Sequence, residues 1–166
     1  MSQITTRHWP FERDVDAFVA AGAPAIGVSV RKLEAYGEAR AVRRLREAGL
    51  AVSCLTSSGP FPLGDAAGEA AALVHARRHL ETAAALGTDC LMMVPGAAPA
   101  LSWEEAAARV RPLLESLLPA AERAGVRLAI EPTSQLRMDI AFLHSFADAL
   151  DSSTQSGRRG WASYSS

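Results

Sequence analysis

Lysine is nearly absent. Sixteen arginines stand beside one lysine, Lys32, and 17 basic against 18 acidic residues leave a formal net charge of -1. A pI near 6.4 excludes the global basic field of a nucleic-acid binder. Cysteine is scarce too. Cys54 and Cys90 each lie inside an apolar run, which fits buried core thiols in a reducing compartment and not a disulfide framework. No run of about 18 apolar residues occurs, so no membrane partner is predicted. The opening MSQITTRHWPFERD lacks the basic-then-apolar pattern of a signal peptide, and a cytoplasmic location is the expectation. No G-x-G-x-x-G follows an apolar run and no G-x-x-x-x-G-K-[ST] occurs, so dinucleotide and P-loop functions lack support. No C-x-x-C and no Ser-His-Asp order points to structural zinc or a nucleophilic triad.

The sequence has instead a repeating joint. An Ala-rich amphipathic stretch ends at glycine and a short apolar run follows: AFVAAG–APAIGVSV, RLREAG–LAVSCLT, ETAAALG–TDCLMMV and AERAG–VRLAIEP. Glycine at a helix C-terminus adopts the left-handed conformation without a Cβ penalty. Short, mostly apolar runs fit strands buried in a parallel sheet. Their alternation with helices marks βαβ units. The pattern predicts strands over Gln3–His8, Ala25–Val30, Ala51–Leu55, Cys90–Val94 and Arg127–Glu131. It predicts helices over Glu12–Ala21, Glu38–Ala48, Ala66–Leu86, Trp103–Ala124 and Ile140–Leu150. Ser102 before Trp-Glu-Glu is an N-cap with acids in the first turn. Pro112 and Pro119 are expected to kink the helix that contains them. The fold class is α/β, either a flavodoxin-like doubly wound sheet or the first part of a (β/α)8 TIM barrel. Both gather chemistry at the C-terminal ends of their strands.

Glu131 is the sharpest candidate. It ends the run VRLAI and precedes Pro132. A carboxylate there suits a metal ligand or a base; the plain alternative is a strand-end acid that pairs with an arginine or caps the next helix. His8 and Trp9 follow the first predicted strand. Tryptophan offers a face to a sugar ring, and histidine shuttles protons. Arg137 suits a phosphate or carboxylate, and Asp139 suits a helix cap. Arg31 and Lys32, after the second strand, also suit an anionic substrate. His75 and His79 are four residues apart on one helix. Without the glutamate of H-E-x-x-H they fit a solvated surface pair, and His144 fits a structural mid-helix residue.

HARRHLETAAALGTDCLMMVPG and LLPAAERAGVRLAIEPTSQLRMDIAFLHSFADALD resemble the sugar phosphate isomerase/epimerase family of the xylose isomerase-like barrel superfamily. TTRHW and PAIGVSVRKLEAYG fit the same pattern, so the resemblance spans residues 3 to about 151. It implies a (β/α)8 barrel with a divalent metal (Mn, Mg or Zn) at its mouth, moving protons on a sugar or polyol. Of the family's metal ligands, only the fifth-strand glutamate has a match, at Glu131; the others would lie beyond residue 151. The resemblance thus implies a partial barrel of about five βα units over 1–151.

Residues 152–166, SSTQSGRRGWASYSS, include six serines and no Leu, Ile or Val. The composition predicts a disordered or out-of-frame tail and no buried strand. With GC-rich codons, a shifted frame would give Leu-Val-Asp-Ala-Val-Gly-Ser-Pro-Arg-Val-Gly-Ile-Val-Leu-Glu, a turn and a strand ending in an acid. Three functions follow: a metal-assisted isomerase or epimerase with Glu131 at its centre and His8, Trp9 and Arg137 lining the substrate; a barrel fragment without catalysis that associates with itself through open edges; and, third, endonuclease IV-like phosphodiester chemistry.

Overall fold

The computed structural model describes residues 1–145, 147–149 and 161–163. Helices and strands alternate as α1 (Phe11–Ala20), β1 (Ala25–Ser29), α2 (Val30–Tyr36), α3 (Glu38–Glu47), β2 (Ala51–Ser58), α4 (Ala66–Leu86), β3 (Cys90–Met93), α5 (Trp103–Glu115), α6 (Leu118–Ala124), β4 (Arg127–Ile130) and β5 (Trp161–Ser163). The strands form one sheet in sequence order, each parallel to the next. Strands in sequence order build a barrel wall. A doubly wound sheet would reverse its order at a switch point.

Side chains alternate across each strand. Ile26, Val28, Leu55, Leu91, Met93, Leu128 and Ile130 join the helices' Val15, Phe18, Leu33, Leu45, Leu80 and Val110 in one buried core. Each such side chain contributes about 1.5–3 kcal/mol of burial. Gly27, Cys54, Met92, Ala129 and Glu131 fall on the alternate positions, away from that core. Both cysteines are free, Cys90 buried and Cys54 half-buried. The four joint glycines have φ between 66° and 75°, as the predicted helix ends require. Asp65 caps α4. Ser102 and Glu105 bond each other's backbone N–H in a capping box on α5. Among the described residues, no helix is long and apolar enough to cross a membrane.

Several elements differ from the prediction. The first predicted strand, Gln3–His8, is a series of turns with one bridge, Ser2 to Gly27. The Thr5 hydroxyl donates to Ser2 O at 2.7 Å and the Thr6 hydroxyl to Gln3 O at 3.3 Å, taking carbonyls that a ladder would need. The seven residues after β1 form α2, so Arg31 and Lys32 sit on a helix and not in a loop. The single helix predicted over Trp103–Ala124 is two, α5 and α6. Pro119 has no N–H to give to the Glu115 carbonyl, and the helix is interrupted at Ser116–Leu117. Of the helix predicted over Ile140–Leu150, Ala141 is instead bridged to Gly96 and only 147–149 are helical among the described residues. The serine-rich tail was expected to supply no strand, yet Trp161–Ser163 pairs with Leu128–Ile130. Backbone hydrogen bonds need no apolar side chains. The rest of 152–166 lies outside the described residues.

The sole lysine is buried. Lys32 is 7% exposed and Asp14 0%. Lys32 Nζ lies 2.5 Å from Asp14 Oδ2 and donates to Thr6 O at 2.7 Å. One ammonium therefore ties α1, α2 and the N-terminal loop together. Removing one partner of a buried pair strands the other charge without water. Asp14→Ala is expected to lower the unfolding free energy in urea by about 3–5 kcal/mol. Breaking the exposed Arg40–Glu12 pair should leave the urea midpoint unmoved. Equal losses in the two variants would contradict this account.

Candidate functional site

Glu131 is placed by the ladder of β4. Its N–H donates to Met93 O at 3.1 Å, and the alternation that sends Ile130 into the core turns Glu131 the other way. The carboxyl is half-buried, and among the described residues it has no hydrogen-bond or ion-pair partner. The predicted alternative, pairing with an arginine, is not what the structure has. Burial pushes the Glu131 pKa above its ordinary 4.5, because a carboxylate loses solvation there. Burial likewise pushes the Cys54 thiol up, with the Glu131 charge adding to it.

Glu131 lines a cleft of about 370 Å³ together with Gln3, Arg7, Ser29, Arg31, Lys32, Gly59, Thr133 and Arg137. The loops after β2 and β3 meet beside it without side chains between them. A Cβ on Gly96 would lie 2.0 Å from Phe61 O, and one on Gly59 2.5 Å from Val94 O. Both glycines also have φ near +106°, so this seam admits no other residue without a shift.

The four cations of the cleft are not equivalent. Lys32 belongs to Asp14. Arg137 forks onto Asp139 at 2.9 and 3.1 Å, so Asp139 pairs with it and does not cap a helix. The pair holds Asp139 below and Arg137 above their ordinary pKa values, the shared hydrogen bonds being the largest cause. Arg31 Nη2 donates to the Arg7 carbonyl at 3.2 Å. No carboxylate among the described residues contacts Arg7 or Arg31.

The structure brings Glu131 and Arg137 into one cleft. Trp9 lines an adjoining cleft of about 240 Å³ that shares Arg7, Arg31 and Lys32 with the first. Arg13 covers the Trp9 ring at 4.1 Å. His8 is exposed on a turn and lines neither cleft. Gln3 is the residue the sequence reading missed. It is fully buried; its Oε1 accepts from Ser29 N at 2.9 Å, while its Nε2 has no partner. Its one sequence signal was an amide inside a stretch predicted as buried strand.

A divalent ion needs several oxygen or nitrogen donors. The cleft offers one carboxylate beside four cations, and no cluster of three His, Cys, Asp or Glu side chains occurs among the described residues. These residues do not fit the metal implied by the resemblance. The histidines are not gathered either. His79 was expected in a solvated pair with His75, but it is 4% exposed. It lies on the α4 stripe Ala76–His79–Leu80–Ala83 that packs on the core, and His75 falls one residue off that stripe. Ser58 Oγ lies 2.9 Å from His79 Nδ1, and His79 Nε2 lies 3.2 Å from Glu34 Oε1. The order resembles a triad, but Ser58 is fully buried and lines neither cleft. It braces β2 to α4 and α2. His144 lies outside any helix, its Nδ1 3.3 Å from Thr133 O.

A family model described as xylose isomerase-like TIM barrel matches residues 15–158. A crystallised protein of Sinorhizobium meliloti 1021 is 32% identical, with a TM-score of 0.88 over 98% of this chain and 60% of that one. The IOLI protein, crystallised with a binding zinc atom, is 19% identical, with a TM-score of 0.83 over 98% of this chain and 60% of its own. A D-psicose 3-epimerase, crystallised in the presence of D-fructose, is 16% identical, with a TM-score of 0.75 over 94% and 57%. The chain thus spans about 60% of the length of these relatives. No curated protein matches it.

The raised Glu131 pKa has a consequence for stability. Its stabilising effect is complete below the ordinary carboxylate pKa and is lost as pH rises through the raised folded value, because ionisation costs more in the fold. Glu131→Gln keeps the shape and removes the charge. Its melting temperature should exceed the parent's at about pH 8 and converge with it by about pH 4. A constant difference across that range would contradict the burial account.

Proposed function

The chain belongs to the xylose isomerase-like TIM barrel family, and from that membership we propose that it is an isomerase or epimerase acting on a sugar or polyol. Glu131 is the acid–base group. It takes the proton from the carbon beside a carbonyl and returns it at the same or a neighbouring carbon. The observation that carries this reading is the partnerless, half-buried carboxyl in a cleft at the C-terminal end of a barrel strand, where barrel enzymes keep their chemistry. A carboxyl whose pKa burial raises is a better proton acceptor than an ordinary carboxylate. Arg137, held by Asp139, lines the cleft as a substrate-positioning cation, and Trp9 offers an apolar edge from the adjoining cleft. Relatives of this fold include a protein crystallised with zinc. The described residues supply one donor to such an ion, so the proton step assigned here runs through Glu131 alone.

A second reading is self-association without catalysis. Leu136, 91% exposed, and Met138, 67% exposed, favour it, since both present apolar surface on the loop after β4.

Deuterium exchange separates the two readings. The chain is incubated with D-fructose in D2O and the sugar is examined by mass spectrometry. The enzymatic reading predicts incorporation at carbon, reduced about 10²- to 10⁴-fold in Glu131→Gln. No incorporation, or incorporation unchanged by Glu131→Gln, would overturn it; the first result together with a dimer on size-exclusion chromatography is what the second reading predicts.

A further inference from the structure

Three sulfur atoms share one face of the sheet, apart from the cleft. Leu55 pairs with Leu91 across β2 and β3, and both belong to the core that the helices cover. The residues just before them, Cys54 and Cys90, are therefore side by side on the opposite face. Met92 follows Cys90 by two residues on the same strand and falls on that face too. Cys90 and Met92 are buried, at 7% and 9% exposure, yet neither is part of that core. Cys54 is half-buried, and both thiols are free. None of the three lines the Glu131 cleft or the cleft that adjoins it.

Spacing and chemistry specify what such a face can hold. Neighbouring strands lie about 4.8 Å apart, and thiols in register start near that separation. Two metal–sulfur bonds of about 2.3 Å bridge it. A disulfide asks for Cβ atoms about 3.8 Å apart, closer than a ladder sets them. Gly27, in register with Cys54 on β1, has no side chain to crowd the thiol; a Cβ there would lie 3.5 Å from Cys54 Sγ. Cys54 is thus free to turn toward Cys90 by a change of rotamer. The flexible thioether of Met92 adapts to irregular positions. Thiolate and thioether sulfurs together select soft cations such as Cu(I). No group of three His, Cys, Asp or Glu occurs among the described residues, so the four donors of structural zinc are not assembled here. Burial pushes both thiols above their ordinary 9.0, and the Cys54 charge adds to the rise at Cys90. Both are protonated at neutral pH, and a bound cation must replace their protons.

We propose that Cys54, Cys90 and Met92 form a site for a soft monovalent cation of the Cu(I) kind, bridging β2 and β3. The cation bonds to the two thiol sulfurs and to the Met92 thioether. Two S–H bonds break, and two protons leave to solvent. No electron changes hands, and the site with its cation carries one negative charge. The cation enters from the side of the half-buried Cys54 and closes onto Cys90. The site is independent of Glu131 and of the sugar reading of the cleft.

Competition for Cu(I) tests it. The full chain, reduced and kept free of oxygen, is titrated against the coloured complex of Cu(I) with bathocuproine disulfonate. The proposal predicts one ion per chain, with two protons released per ion when Cu(I) is added in acetonitrile. Cys54→Ser and Cys90→Ser should each weaken binding by roughly a hundredfold or more, since each removes a thiolate. Met92→Leu, which nearly conserves side-chain volume, should weaken it about tenfold while both thiols remain. Glu131→Gln should bind like the parent. Two ions per chain would mean separate thiols, and one ion per two chains would mean a bridge between copies; either would overturn the proposal. So would a folded Cys54→Ser or Met92→Leu variant that binds like the parent. If Cys90→Ser does not fold, those two variants decide, because one changes a half-buried position and the other keeps its volume.

Discussion

One buried ammonium organises the side of the molecule that carries the cleft. Lys32 reaches from α2 to Asp14 on α1 and to the Thr6 carbonyl. The N-terminal loop has no strand to hold it, since the threonine hydroxyls take its carbonyls. Its position depends on that ammonium, on the Ser2–Gly27 bridge and on Gln3 Oε1 receiving Ser29 N. Gln3 and Arg7 ride on this loop. Their place in the cleft therefore depends in part on a buried charge pair. A buried pair of this kind adds little net stability over apolar residues, but losing half of it is costly. What it contributes here is the placement of one particular loop.

The opposite wall obeys a simpler rule. Strand alternation puts Leu128 and Ile130 among the helices, so Ala129 and Glu131 must face the other way. The close contacts at Gly59 and Gly96 fix the loops beside it. The cleft thus sets an acid at a strand end against a loop and helix that carry Arg7, Arg31 and Lys32. The family supplies the fold and the kind of chemistry. Among the described residues that line the cleft, one carboxylate is set among four cations.

Much of this was legible in the order of residues. The four Ala–Gly joints marked helix ends, and the runs after them marked β1 to β4, because glycine and burial act locally. Glu131 was legible because a charge that closes an apolar run stands where a buried strand meets its loop. Lys32 was not. Its partner lies 18 residues away on another helix, and a strand end followed by Arg-Lys looks solvated. His79 was misjudged because helical spacing gives the angle between two histidines but not which face meets the core. Gln3 was hidden inside a predicted strand; its meaning appears only when Ser29 takes one end of its amide and leaves the other free. The parallel pairing of Trp161–Ser163 escaped for a related reason, since a backbone ladder is blind to serine.

The central claim is that a ligand is held between the pinned N-terminal loop and Glu131. The chain has three glutamines, Gln3, Gln135 and Gln155, so selective ¹⁵N-glutamine labelling gives three side-chain amide pairs in an NMR spectrum. Saturation with a sugar that the chain binds should shift the Gln3 amide protons and slow their exchange with solvent, leaving those of Gln135 in place. Saturated binding with the Gln3 amide unmoved would contradict the account.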